Sequence, residues 1–240
     1  MHFTFESIGS IRTSFREKFG VPRQSLMANE ARGVIKLNPD KRYRDAVTGL
    51  QTFSHVWLIF VFDRDLNRGW HPLVETPRVD ADRIGVFASR SPHRPNSIGM
   101  SVVRLERIDS SPADGIEIHV SGIDLLDGTA ILDIKPYLPY ADAVTEANAG
   151  WASNPIPKFV VTYSNTAQEK LKEISCKHPR FHLLLQELLE LDPRPTSQRR
   201  AAPIETPASN DLPFAFRLME YDIHWTIRDG TVHVLKILDL

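Results

Sequence analysis

Residues 85–100, GVFASRSPHRPNSIGM, gather Arg90, His93 and Arg94 among two prolines and several small polar side chains. A guanidinium is a planar fork of N–H donors that can meet a carboxylate or a phosphate through two bonds at once. Pro92 and Pro95 restrict the local backbone, and Gly99 lets another segment approach closely. This chemistry suits anion binding on an ordered loop. The same composition also describes a surface loop whose arginines are merely solvated, although sites often sit on such loops when a rigid scaffold holds them.

Other residues invite a similar pair of readings. Asp133 and Lys135 stand two apart in a strand-like stretch, hence on one face. As an exposed ion pair they would contribute little. Asp127-Gly128 is a common turn pair. Lys41, Arg42 and Arg44 form one small basic cluster, and Arg194, Arg199 and Arg200 lie in a second. Either cluster can be a solvated face, or can hold a nucleic-acid backbone through salt-dependent contacts that read no sequence.

The elements that must position these residues are mostly strands. Phe3 and Phe5 alternate with polar neighbours and lead to Ile8 and Ile11, which predicts an opening strand. GVIKL at 33–37 predicts a second. Asn38-Pro39 has the form of a helix start, and Tyr43, Ala46, Val47 and Leu50 then share one helical face. FSHVWLIFVF at 53–62 alternates little and predicts a strand covered on both faces. Residues 64–83 hold Gly69, Pro72 and Pro77 among polar neighbours and predict a long exposed loop. Strands follow at 100–108, 115–120 and 129–135. With no long helices between them, they argue for a β-barrel or strongly curved sheet. No GxGxxG pattern follows the first strand, which disfavours a Rossmann sheet.

Pro155 and Pro157 stiffen a connection near 151–158. Beyond it Phe181, Leu184, Leu185, Leu188 and Leu189 mark an amphipathic helix, followed by a polar loop carrying the second basic cluster. Ile223, Trp225 and Ile227, a turn at Asp229-Gly230, and Val232 and Val234 then predict a hairpin. The expected division is a domain over 1–150 and a smaller α+β domain over 158–240.

Composition sets the outer limits. The 240 residues are 42% apolar and 25% charged, enough for a full core, and the net charge of -1 gives no global attraction to nucleic acid or membrane. Cys176 is the single cysteine, so an intrachain disulfide and a thiolate zinc cluster are both excluded. This fits a reducing, cytoplasmic setting. The first residues lack a signal-peptide pattern, and the longest apolar run, 56–62, is too short to span a bilayer. We expect neither a membrane nor a metal.

The ordered set of motifs resembles the TsaA-like (TrmO) family. Residues 85–91 and 94–100 match its Gly-Val-Phe-Ala-x-Arg-Ser and Arg-Pro-Asn-x-Ile-Gly-Met runs. FSHVW at 53–57, DLLDGT at 124–129, DIKPYLPY at 133–140 and Pro22-Arg23-Gln24 resemble its other motifs in order and spacing. The resemblance is strong from Ile8 to about Asp142 and weaker beyond.

That resemblance implies a single-sheeted β-barrel acting as a homodimer. It implies methylation, with S-adenosyl-L-methionine, of N6 of a threonylcarbamoyl-modified adenosine beside the tRNA anticodon. Pro22, Arg23, Gln24, Asp63, Arg64, Arg90, Met100, Asp124, Leu125, Leu126 and Asp127 are then expected at the cofactor. His93, Arg94 and Lys135 are expected at the RNA or its threonyl carboxylate. The acylated N6 still carries a proton that must leave, and Asp133 and Tyr137 are the candidate acceptors. Alternatives are a non-catalytic RNA- or nucleotide-binding barrel, or a methyltransferase acting on a small molecule.

Overall fold

A computed structural model describes residues 1–64, 69–75, 83–111, 115–207 and 210–240 of the chain. Six strands form a closed barrel: β1 (Gly9–Thr13), β2 (Arg32–Leu37), β3 (His55–Val61), β6 (Ile98–Ser111), β7 (Gly115–Ser121) and β8 (Ala130–Pro136). Their order around the barrel is β1-β2-β7-β6-β3-β8, and every neighbouring pair is antiparallel. Two short strands, β4 (Leu73–Val74) and β5 (Ile84–Gly85), pair outside it. The mainly β character and the barrel expected from the chain are therefore present.

Alternation explains the barrel interior. Val56, Leu58 and Phe60 of β3, Ile116, Ile118 and Val120 of β7, and Ile11, Ile35, Val103 and Ile131 from neighbouring strands are all buried. Burial of side chains of this kind contributes about 1.5–3 kcal/mol each. Gly99 is buried on β6 opposite Phe60, where an added methyl would overlap the Phe60 ring. This is the close approach that its glycine predicts.

A smaller α+β part follows. Strands β10 (Phe214–Leu218), β11 (Tyr221–Arg228), β12 (Thr231–Asp239) and β9 (Val161–Tyr163) form one sheet in that order. The β11–β12 turn has positive φ at both Asp229 and Gly230, as a type I′ turn requires. Helices α3 (Asn165–Lys177) and α4 (Phe181–Glu190) bury Leu171, Ile174, Phe181, Leu184, Leu185, Leu188 and Leu189 in the same continuous core as the barrel. Hydrogen bonds also cross between the two parts. Met219 N–H donates to Ser14 O, Arg217 N–H donates to Glu17, and Arg180 pairs with Glu30 at 2.7 Å.

Several local expectations need correction. Strand β1 starts only at Gly9, and Phe3 and Phe5 are each 67% exposed. The helix after Asn38 is short. It runs as α1 (Arg42–Ala46), and Asn38 donates to Ser7 O instead of capping it. Gly49, at φ 85, breaks the apolar stripe before Leu50. The outer face of β3 is half-buried rather than covered. The loop expected at 64–83 lies largely outside the described residues, and its described part includes β4. The polar loop after α4 contains a helix, α5 (Thr196–Ala201). Arg194 is 3% exposed and bound to Asp192, so it is not available to a nucleic-acid backbone. The last barrel-side helix, α2 (Pro139–Asp142), follows β8.

Candidate functional site

Three motifs that are distant in sequence meet at one end of the barrel. Arg90, in the loop after β5, donates through Nη1 to Gln24 Oε1 at 2.7 Å. The Leu26 N–H, two residues beyond Gln24, donates to Gly122 O, which ties the Pro22-Arg23-Gln24 segment to the end of β7. Leu26 has φ 63, and a methyl on Gly122 would strike its side chain, so this crossing is tight. Asp124, just past that crossing, accepts a hydrogen bond from the Ser101 hydroxyl at 2.7 Å.

The Asp124 carboxyl is pushed up to about 6, chiefly because burial penalises its charged form. Hydrogen bonds from Ser101 and from the backbone at Asp124 and Ser25, together with the charge of Arg90, pull in the opposite direction. The result is a carboxylate that loses its proton close to neutral pH beside a permanent cation. Ser101 is buried at an inward position of β6, opposite Leu58. It was not among the expected site residues. The signal for it is a hydroxyl at a barrel position where alternation demands an apolar side chain.

The rest of residues 124–127 faces elsewhere. Leu125 is buried and its carbonyl accepts from the Thr13 hydroxyl, while Leu126 O accepts from Thr129. Asp127 Oδ1 accepts from Thr13 N–H at 2.9 Å, and Asp127 N–H donates to Phe15 O. Arg64 donates to Asp127 O and Arg16 O, both at 3.0 Å. Asp63 is exposed beside it. Asp127-Gly128 is therefore a turn whose carboxylate also fastens the end of β1.

A cleft of about 1380 Å³ opens between the barrel and the C-terminal part. Pro22, Arg23, Gln24, Arg90 and His93 line it, with Phe87, Trp151 and Arg199 among the others. Small-molecule sites occupy about 300–1,000 Å³, so this cleft is larger than one such site. Arg23 donates through Nη2 to the carbonyls of Asp192 and Arg194, at 2.9 and 3.1 Å. Burial, and next the charge of Arg199, lower its pKa to about 10. His93 packs edge-on against His71, and its Nδ1 is enclosed without a hydrogen-bond partner among the described residues. Arg94 turns back on its own loop. Its Nη1 donates to Val86 O and Ser89 O, and its guanidinium lies 5.8 Å from the centroid of the Phe87 ring.

Met100, Asp133, Lys135 and Tyr137 do not line the cleft. Met100 and Asp133 both flank Ile59 on the outer barrel face, where Met100 is 50% exposed. Lys135 pairs with Asp133 at 2.6 Å, with both side chains largely open to solvent. Tyr137 packs against His55 and Trp57. Among the described residues no group of three or more His, Cys, Asp or Glu is placed to hold a metal. No described helix is long and apolar enough to cross a membrane.

Comparison with known proteins agrees over nearly the whole chain. Residues 10–143 match the model of the tRNA-methyltransferase O N-terminal domain, and residues 156–240 match that of the TrmO C-terminal domain. A tRNA (adenine(37)-N6)-methyltransferase of Escherichia coli is 36% identical over 237 residues, covering 98% of this chain and 97% of the relative. A putative S-adenosylmethionine-dependent methyltransferase of Pseudomonas aeruginosa is 42% identical over 241 residues, covering 99% and 98%. A crystal structure of TrmO from Pseudomonas aeruginosa superposes with a TM-score of 0.80 at 38% identity, covering 99% of each chain.

Proposed function

The chain belongs to the TrmO family, and on that premise we propose that it transfers a methyl group from S-adenosyl-L-methionine to N6 of adenosine 37 in tRNA. The finer reading is that this adenosine already carries a threonylcarbamoyl group. Residues 1–150 form the methyltransferase domain in this reading, residues 158–240 the smaller domain, and the protein works in the cytoplasm as a homodimer on the anticodon stem-loop.

The observation that carries the proposal is the convergence of Gln24 and Arg90 at the lining of a cleft larger than one small ligand needs, with the buried Asp124 within reach of the Arg90 charge. The donor set fits the cofactor. An enclosed carboxylate suits ribose hydroxyls or a cationic group, a guanidinium suits the amino-acid carboxylate, and the Gln24 amide suits a polar edge. Pro22, Arg23, Gln24, Arg90 and Asp124 hold the cofactor in this assignment. Leu125, Leu126, Asp127, Asp63, Arg64 and Met100 are assigned to the same cofactor by the resemblance, although none of them lines the cleft.

When bound, adenosylmethionine supplies an electrophilic methyl group on a sulfonium. The work of this chain is to hold the target nitrogen in line with that methyl, and positioning of this kind is worth about 7–11 kcal/mol. His93, Arg94 and Lys135 are assigned to the RNA or its threonyl carboxylate. Asp133 or Tyr137 is assigned to orient N6 and take the proton released on methylation, a contribution of about 10²–10⁴-fold. Neither lines this chain's own cleft, so the assignment requires the proposed homodimer to bring them to the partner's cofactor.

Isothermal titration with adenosylmethionine tests the enzyme reading, and absence of binding at millimolar cofactor would leave only a non-catalytic barrel. Nucleoside analysis of tRNA from cells lacking the protein tests the substrate. Normal levels of the methylated threonylcarbamoyl nucleoside would redirect the assignment to another RNA or to a small molecule. Sedimentation analysis tests the dimer.

A further inference from the structure

The loop and helix after α4, together with Arg23 from the N-terminal segment, bring three guanidinium groups near the single carboxylate of Asp192. Arg194 satisfies Asp192 through two bonds of 2.8 Å each, donates to Ala202 O, and lies 5.0 Å from the centroid of the Phe214 ring. Its charge is thus consumed inside the protein. Arg23 reaches the same segment from the barrel, where its two partners are uncharged carbonyls. Arg199, on α5, lines the cleft, and its Nε and Nη2 are enclosed without a hydrogen-bond partner among the described residues. Three cations against Asp192 leave an excess of two positive charges at the cleft wall. Two carboxylates also line the cleft, but Glu75 pairs with Arg200 at 3.3 Å and Glu205 is exposed.

Unpaired guanidinium donors held out of water are costly unless a ligand completes them. Burial lowers the pKa of Arg199; the Asp192 charge pulls it back up, and the charges of Arg194 and Arg200 lower it again. An anion in the cleft offsets the cost of burying this charge, and a turn of the side chain that brings the enclosed Nε–Nη2 edge to the cleft would complete its donors. A flat donor edge and excess positive charge in a cleft that also exposes the 77%-exposed Phe87 ring match the chemistry of single-stranded nucleic acid, which pairs phosphate contacts with aromatic stacking.

We infer that Arg199 is an anion site in the cleft between the two parts of the protein, to which Arg23 adds only its nearby charge, and that it takes a backbone phosphate of the RNA strand bearing the target adenosine. The inference rests on the tRNA reading above. It places the RNA backbone against the C-terminal part while the cofactor lies against the barrel.

The test compares the full-length protein with Arg199→Gln and Arg199→Lys, both loaded with adenosylmethionine and titrated with an anticodon stem-loop RNA over a range of salt. Arg199→Gln is expected to weaken RNA binding about 10-fold and to lower the salt slope by about 0.7, the value for one single-strand phosphate contact. Arg199→Lys is expected to recover most of that slope, and cofactor affinity is expected to stay within twofold of wild type. An unchanged RNA affinity and slope in Arg199→Gln, with its melting temperature preserved, overturns the inference. So does a selective loss of cofactor affinity, which would make the anion the cofactor's own carboxylate. Failure of the wild-type protein to methylate tRNA sinks the wider reading instead and is seen before any variant is made.

Discussion

Arg90 and Gln24 are 66 positions apart in the chain, yet Arg90 Nη1 donates to Gln24 Oε1 at 2.7 Å. The bond closes the signature loop onto the N-terminal Pro22-Arg23-Gln24 segment, and both residues line the cleft. Arg90→Ala is expected to weaken adenosylmethionine binding by about 10–100-fold, the range for hydrogen bonds to a charged group. RNA affinity should fall much less. Calorimetric titration of each ligand checks this. Equal loss of both in a folded variant would remove Arg90 from the cofactor assignment.

Asp124 gives a pH prediction. Its folded pKa, about 6, lies above the ordinary carboxylate value of 3.8, so protonation favours the folded state. Its stabilising effect is complete below about pH 4 and is lost as pH rises through 6. Asp124→Asn should therefore flatten this part of the stability profile in chemical denaturation. Cofactor binding should run the other way in wild type, strengthening from pH 5 to 7 as the carboxylate ionises, and Asp124→Asn should lose that rise.

Gly99 lies where an added methyl meets the Phe60 ring, with Phe62 close behind. Both rings belong to the packed barrel, so neither can retreat freely. Gly99→Ala is expected to cost about 1–3 kcal/mol, as overpacking does. A lower melting temperature with near-normal cofactor affinity per folded molecule is the expected outcome. An unchanged melting temperature would mean that the barrel relaxes around the methyl.

The Asp192–Arg194 pair is buried and has full hydrogen-bond geometry. Removing one partner strands the other, at about 3–5 kcal/mol. Arg194→Ala should show that loss in urea unfolding, and Asp192→Asn should show a comparable one. A variant with little stability change and reduced RNA affinity would instead return Arg194 to the role of a surface contact.

Asp133 and Lys135 form an exposed pair, so Asp133→Asn should change stability by no more than about 1 kcal/mol. If Asp133 takes the proton from N6, single-turnover methylation should slow by about 10²–10⁴-fold with cofactor affinity kept. Tyr137→Phe gives the matching test for the phenol. Full activity in both would assign the proton to solvent.

The barrel was legible from clean alternation at Ile116, Ile118 and Val120 and from the apolar, β-branched run at 53–62, whose own alternation at Val56, Leu58 and Phe60 shows only in the structure. The C-terminal hairpin was legible from Asp229-Gly230, where both residues take the left-handed conformation. Helix α3 carries a readable start signal, Ser164 accepting from Ala167 N–H ahead of buried Ala167, Leu171 and Ile174, but was not among the elements foreseen. What misled the reading was context. The stripe from Tyr43 to Leu50 looked helical because periodicity is blind to the φ of 85 at Gly49. Arg194 looked like surface charge because its partner, Asp192, sits at φ 51 in a chain reversal that composition does not announce.

The candidate site was legible as motifs that the resemblance assigns to one cofactor, without the contacts between them. Their order along the chain carries the resemblance, but nothing in it places Gln24 under Arg90 or lines the cleft with Arg199. Those contacts depend on how the barrel closes and on where the C-terminal part docks. Ser101 was hidden for a related reason, since its importance comes from pointing inward at Asp124.

The barrel is closed by its shortest seam: β1 meets β8 at only two residue pairs, Gly9 with Ile131 and Ser10 with Ala130. Beyond those pairs the joint is held by Ile8 N–H at Ile131 O, Ile11 N–H at Thr129 O, Gly128 N–H at Ile11 O and the Asp127 carboxylate at Thr13 N–H. A ligand that steadies residues 124–127 would therefore act as a clasp on the whole cylinder. Deuterium would enter β1 more slowly when that clasp is shut, on the far side of the seam from anything the ligand touches.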